Sequence, residues 1–244
     1  MRERLDMRLT TLGLAESRAK AQRLILAGAV RVNGRPAQKP GLVVKDTDLI
    51  TVQAAEKYVS RGGYKLEAAL DAFAINCNGA VCVDIGSSTG GFTDCLLQHG
   101  AKRVHAVDVG RGQLSWQLRN DPRVVLHERL NARHMSPDDI GEAADIVTVD
   151  VSFISLTKIL PAAVRVLKPG GTVVALIKPQ FEAGKKHVKK GGVVRDSSVH
   201  QKVKDTIAQF AVAALGLAPL GPIIESPLPG PAGNKEFLAA WRRP

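Results

Sequence analysis

Four ionisable residues stand where they could act on a bound substrate. Lys65 follows the Gly62-Gly63 turn, Asp150 and Lys178 close the apolar stretches 145–149 and 171–177, and Glu236 lies within Gly233-Asn234-Lys235-Glu236-Phe237. In open α/β folds such groups collect where strands end, so Asp150 and Lys178 are expected side by side. A lysine accepts a proton only when neutral, which calls for burial or a second cation nearby. Lys65 would supply that cation; Asp150 and Glu236 would oppose it while fixing geometry. Lys178 could equally stay charged and steady a developing alkoxide. Each residue alone reads as readily as a surface or capping group. It is their company that argues for chemistry.

That company is Asp84-Ile85-Gly86-Ser87-Ser88-Thr89-Gly90-Gly91-Phe92, which leaves an apolar strand and leads into a helix. Glycines in such a turn let backbone approach a ligand without β-carbons in the way. The spacing departs from the dinucleotide fingerprint, and the Gly-Lys-Ser/Thr of a triphosphate loop is absent. Asp108 ends the next strand, 24 positions after Asp84, where an acid suits a ribose diol. Asp84 could orient the amino end of a cofactor or the turn itself; capping is the plainer reading for either acid. The pattern looks like the S-adenosylmethionine site of class I methyltransferases. That resemblance implies a cofactor held by Asp84, Gly86, Ser87, Ser88, Gly90, Gly91, Phe92, Asp108 and Asp150. It also implies an adenine edge read by Asn131 in Leu130-Asn131-Ala132.

Alternating patterns must position these residues. Strands are predicted at 81–85, 103–107, 123–126, 145–149 and 171–177, and helices at 64–73, 91–98, 114–118, 154–167 (bent near Pro161) and 199–215. Two late strands are expected near 217–226 and 236–240. The order predicts an α/β, doubly wound, Rossmann-like domain over residues 64–244. Residues 58–63 read as a short linker with limited hinge motion. Residues 1–57 read as a small α+β module: a helix carrying Leu5, Leu9 and Leu12, a second one capped by Ser17 and ended by Gly28, and a hairpin through Val30-Arg31-Val32-Asn33-Gly34. Another strand is expected at 49–52.

The chain has 244 residues, 45% apolar composition and a net charge of +11. That size suffices for one good core and a small second domain, and that charge favours a polyanionic partner. Between Met1 and Lys57 there are 11 Lys or Arg against 6 Asp or Glu. Arg4, Arg8, Arg18, Lys20, Arg23, Arg31 and Arg35 are candidates to grip phosphates, against the plain alternative of a solvated face. This module resembles the S4 RNA-binding domain over Arg4 to about Val52, including Ser17-Arg18-Ala19-Lys20-Ala21 and Val32-Asn33-Gly34. The resemblance implies structured, usually ribosomal, RNA. A second basic run, Lys185, Lys186, Lys189, Lys190 and Arg195, follows Lys178 and reads as a mobile loop clamping phosphates; Arg61 adds to it. Aromatic content of 4% argues against a broad stacking platform. Phe153 could pack an unstacked nucleotide, although its residue type favours the core. Cys77, Cys82 and Cys95 match no metal or disulfide pattern, and no metal is expected. The N-terminus shows no apolar signal and no run reaches spanning length, so a cytoplasmic protein with no membrane partner is expected.

In order, Lys65, Asp150, Lys178 and Glu236 match the Lys-Asp-Lys-Glu tetrad of FtsJ-like ribose 2′-O-methyltransferases. With the S4-like module, the chain resembles the TlyA family, also labelled hemolysin A. Ser60-Arg61-Gly62-Gly63-Tyr64-Lys65-Leu66, Asp150-Val151-Ser152-Phe153, Lys178-Pro179-Gln180-Phe181-Glu182 and Gly230 to Glu236 carry this resemblance. It implies methylation of cytidine 2′-hydroxyls in ribosomal RNA, within a ribosomal subunit. Short ends look more like the subtype restricted to large-subunit (23S) RNA. Between the modules the chain reads Glu56-Lys57-Tyr58-Val59 in place of the Arg-Ala-Trp-Val found in part of the family, so no interdomain signalling role is carried over. The rivals are a non-enzymatic ribosome assembly factor on a methyltransferase-like fold, a membrane-lytic protein, and a base methyltransferase. The last would need a nucleophilic cysteine for base-carbon methylation.

Overall fold

Two patterns of buried side chains run through the chain, and they separate it. The computed structural model describes residues 2–53, 56–189 and 191–244. They fall into two units, Met1–Lys57 and Tyr58–Pro244.

In the smaller unit β1 (Arg2–Arg4) leads into α1 (Leu5–Thr11) and α2 (Arg18–Leu26). Four short strands follow: β2 (Val30–Val32), β3 (Arg35–Pro36), β4 (Val43–Lys45) and β5 (Ile50–Val52). The antiparallel order is β3-β2-β5, with β1 paired to β4. Leu5, Leu9, Ala21, Ile25, Val30, Val44 and Ile50 form its core. The predicted features recur here: Ser17 accepts the Lys20 amide at 3.2 Å, and Asn33 and Gly34 turn the β2–β3 hairpin at φ +50° and +77°. Two adjacent left-handed residues are what a tight hairpin needs. Leu12 departs from expectation. Helix α1 stops at Thr11, and Leu12 is exposed because the chain folds back to return the Leu14 and Ala15 amides to the Leu9 carbonyl. The strands β1, β3 and β4 are too short to leave a readable alternation.

The larger unit runs α3 (Gly62–Ala72), β6 (Val81–Ile85), α4 (Gly91–Gln98), β7 (Arg103–Asp108), α5 (Trp116–Arg119), β8 (Val124–Glu128), α6 (Pro137–Ile140) and β9 (Ala144–Val149). It continues through α7 (Leu160–Val166), β10 (Leu167–Ile177), α8 (Pro179–Glu182), α9 (Ser197–Gln209), β11 (Ala218–Pro219), β12 (Ile224–Glu225) and β13 (Phe237–Arg242). One sheet has the order β11-β13-β10-β9-β6-β7-β8, with β12 also on β13. From β8 to β10 every pairing is parallel, while β13 lies antiparallel on β10. Alternate residues of each strand serve opposite faces. Val83, Ile85, Val173, Ala175, Ala239 and Trp241 join the core with α7 and α9, whereas Cys82, Val174, Leu176 and Ala240 join that with α3 and α4.

Several boundaries differ from expectation. Residues 58–63 are no linker. Tyr58 is buried, and a β-carbon on Gly63 would lie 2.2 Å from its ring. The Val59 amide donates to Asp94 at 2.8 Å, so the segment is part of the larger unit. The helix expected at 114–118 sits at Trp116–Arg119, and Pro161 follows Leu160 in the first turn of α7, where proline is tolerated. The late strands are three fragments, because Gly221 and Pro222 interrupt the first. Among the described residues no helix is long and apolar enough to cross a membrane.

Candidate functional site

The chain leaves β6 in one direction along the sheet through β7 and β8, then returns to add β9 and β10 on the other side of β6. Strand order therefore reverses between β6 and β9, and a crevice must open beyond their ends. Gly86 follows β6 and Asp150 follows β9. The Asp150 amide donates to the Ile85 carbonyl at 2.9 Å. Gly86 has φ +86°, and a β-carbon there would stand 2.4 Å from the Asp150 carbonyl oxygen, so glycine is required at this point.

Two cavities share this wall. One of about 530 Å³ is lined by Gly86, Ser88, Asp108, Val109, Asn131, Asp150 and Phe153, among others. That volume suits a small-molecule ligand. Asp108 accepts the Ser88 amide at 2.9 Å and the Gly110 amide at 2.7 Å, which fixes its carboxylate toward the cavity. Asn131 is exposed on the wall, its side-chain oxygen accepting the Arg133 amide at 3.1 Å. The second cavity, about 260 Å³, is lined by Arg61, Lys65, Ser87, Asp150, Ser152, Lys178 and Glu236, together with Gly91 and Phe92 from the start of α4. Ser87 is 5% exposed, and its hydroxyl has no hydrogen-bond partner among the described residues. A buried hydroxyl left open at a ligand-sized cavity fits an absent polar group.

The four candidate catalytic residues all line the second cavity, as two ion pairs. Lys178 Nζ stands 2.6 Å from Asp150 Oδ1 and donates to Ser152 Oγ at 3.2 Å. Lys65 Nζ donates to Glu236 Oε2 at 2.5 Å, and this pair is buried. Glu236 owes its place to the turn before β13. Gly230 passes so close that a β-carbon would meet Glu236 Oε1 at 2.4 Å.

Asp84 lies behind the turn and lines neither cavity. It is fully buried and accepts the hydroxyls of Thr93 at 2.7 Å and Thr148 at 3.0 Å. Of the two roles open to it, the geometry supports orienting the turn. Burial raises its pKa from 3.8 to about 6, against the two threonine bonds. The folded form therefore holds its proton more tightly than the unfolded chain. Stability from this group is full below pH 4 and falls as pH rises through about 6. The difference is about 3 kcal/mol by linkage. Urea unfolding at pH 4 to 7 should show wild type losing about that much relative to Asp84→Asn; parallel pH curves would contradict it.

Phe153 is corrected outright. It is 90% exposed at φ +64°, not core, because it lies on the loop leaving β9 rather than on a strand. Its ring centroid is 5.0 Å from that of Phe181. The segment read as a mobile loop is pinned at both ends. Glu182 accepts Ser155 Oγ at 2.6 Å and the Leu156 amide at 2.8 Å. Asn234 accepts the Val194 amide at 2.9 Å and donates to the Gly192 carbonyl at 2.8 Å. Between them Lys186 and Lys189 are exposed, as is Arg195 beyond. Lys190 and the Lys185 side chain lie outside the described residues.

In the smaller unit the basic candidates divide. Buried Asp6 holds Arg4 at 3.1 Å, Arg18 at 2.9 Å and Gln22 at 2.8 Å, and those bonds hold its carboxyl well below the usual range. Arg4 and Arg18 are thus preset by an acid while roughly half their surface stays open. Arg8 bridges Glu3 and Asp46, and Arg31 donates to the Gly34 carbonyl. Arg23 and Arg35 are exposed and Lys20 half-buried. The pairing through Asp6 left no periodic signal, since its partners are 2, 12 and 16 positions away.

The S4 domain model matches residues 3–50 and the FtsJ-like methyltransferase model residues 58–243. A relative from Mycobacterium tuberculosis, the 16S/23S rRNA (cytidine-2′-O)-methyltransferase TlyA, is 49% identical over 99% of this chain and 90% of its own length. The chain belongs to the TlyA family of FtsJ-like methyltransferases. Another TlyA, the 23S rRNA (cytidine-2′-O)-methyltransferase of Campylobacter jejuni, is 37% identical over 75% of this chain and 70% of its own. A solved structure from Streptococcus thermophilus is 46% identical, covers 99% of this chain and 88% of that one, and has a TM-score of 0.75.

For this TlyA-family chain, sequence reasoning missed Ser152, Glu182 and Asn234, small polar or acidic residues whose partners lie on other loops. All three cysteines are buried, and burial pushes the Cys77 thiol up to about 11. A nucleophile for base-carbon methylation is therefore lacking among them.

Proposed function

We propose that the chain methylates the 2′-hydroxyl of a cytidine in large-subunit ribosomal RNA, presented within a ribosomal subunit in the cytoplasm. The observation that carries this is the opening of the Lys65–Glu236 and Lys178–Asp150 pairs into one cleft that shares a wall with the nucleoside-sized cavity. The Campylobacter relative is named for 23S RNA and the Mycobacterium relative for 16S and 23S RNA, so the large-subunit RNA is the substrate common to both names. S-adenosylmethionine, when bound, supplies the methyl group. Asp108 would hold its ribose, Asn131 its adenine edge, and the Gly86 to Gly91 turn its remaining length, with Ser87 Oγ offering an open bond.

The residues then do three things. Asp150 holds Lys178 so that the ammonium faces the attacking oxygen and steadies the negative charge that develops there. The cleft would hold that oxygen beside the cofactor cavity, where orientation can account for much of the rate. The proton of that hydroxyl would be released to solvent. Phe153, exposed at the wall of the larger cavity, would pack the target base once it is unstacked. Binding through phosphates should weaken steeply with salt.

The test incubates the protein and S-adenosylmethionine with unmodified large and small subunits and with naked rRNA, then maps ribose methylation by nuclease digestion and mass spectrometry. A 2′-O-methylcytidine in the large-subunit RNA is expected. No methylation of any RNA, with no cofactor binding, would instead support an assembly factor.

A further inference from the structure

The most exposed large apolar side chains of the larger unit are Val109 at 71%, Trp116 at 79% and Phe153 at 90%. Val109 and Phe153 belong to the cavity wall. Trp116 lines neither cavity. The chain's other tryptophan, Trp241, is 2% exposed in the core.

The tryptophan is exposed on a fixed mount. On the inner side of its segment Leu114 and Leu118 press against the cofactor turn: a β-carbon on Gly90 would stand 2.8 Å and 2.3 Å from their methyl groups. The Ser115 amide donates to the Thr89 carbonyl at 3.2 Å. Arg119 donates to Glu128 at 2.5 Å, which also accepts the Gly112 amide at 2.6 Å. Helix α5 is thus bolted both to the turn and to the end of β8, and the indole is left in solvent.

The stretch around it is net basic. From 109 to 133 there are five arginines, Arg111, Arg119, Arg123, Arg129 and Arg133, against Asp121 and Glu128. Arg111, Arg129 and Arg133 are exposed. A fixed, exposed aromatic face in a net basic stretch suits a nucleic-acid base whose phosphates the exposed arginines neutralise.

We infer that Trp116 is a stacking platform for an unpaired RNA nucleotide flanking the one that is methylated, with Arg111, Arg129 and Arg133 taking its phosphates. This rests on the RNA-methylation reading of the neighbouring cleft. It adds a contact surface to those proposed on the S4-like unit and on the basic run after Lys178.

The test follows tryptophan emission as an unmodified 23S rRNA transcript is added, with Trp116→Phe isolating the Trp116 signal from that of buried Trp241. Association is measured separately by filter binding. The Trp116 emission should fall by more than half on binding. Trp116→Ala should weaken binding about tenfold, and Trp116→Phe much less, with S-adenosylmethionine binding unchanged in both. Association without quenching would overturn the stacking role alone, as would quenching that requires the assembled subunit, which would assign the surface to a protein. Failure of both the transcript and the unmodified large subunit to associate would remove the RNA reading together with this one.

Discussion

Lys178→Ala lowers the rate of RNA methylation by about 10²- to 10⁴-fold, the range for removing a group that handles developing charge or a proton in the transition state. Cofactor affinity stays close to wild type, because Lys178 lines the 260 Å³ cleft and is not part of the 530 Å³ cavity wall. Lys178→Arg separates the two roles a lysine could hold. Arginine stays charged and cannot serve as the base, so a charge-steadying role predicts measurable residual activity that a base role does not. Single-turnover rates at saturating cofactor, beside calorimetric cofactor binding, decide it. Undiminished transfer by the alanine variant would remove Lys178 from the mechanism.

Lys65→Met destabilises the larger unit by about 3–5 kcal/mol, as breaking one side of a buried ion pair does. The Lys65–Glu236 pair is the more enclosed of the two, with side chains 10% and 1% exposed, against 12% and 23% for Lys178 and Asp150. Removing Lys65 leaves Glu236 buried and uncompensated beside Gly230. A domain's whole stability is about 5–15 kcal/mol, so the loss is a large share of it. The double variant Lys65→Met, Glu236→Leu should recover much of the stability but not the activity, since both residues line the cleft. Urea unfolding of the three proteins, with methylation assays, checks this. A single variant within 1 kcal/mol of wild type would show the pair to be hydrated and weak.

The two pairs explain why the tetrad was legible in order but not in grouping. Asp150 and Lys178 end strands β9 and β10, which are parallel neighbours, so adjacency follows from the strand pattern alone. Lys65 and Glu236 are 171 positions apart and meet because β13 inserts antiparallel on β10 and the Gly230 turn folds over. No local pattern records that insertion.

What the sequence determined by itself was the alternation of strands and helices, the glycine turn after β6, the S4-like hairpin through Asn33-Gly34 and the identity of the charged residues at strand ends. These rest on periodicity and backbone preference, which act within a few residues. Tertiary structure alone decided the partners. It packed Tyr58 into the larger unit, turned Phe153 out of the core, closed Asp84 away from the cavity behind Thr93 and Thr148, and pinned the basic segment through Glu182 and Asn234. Each of those outcomes depends on which distant surface reaches a side chain first, and burial, desolvation and hydrogen bonding take effect only once the chain has closed.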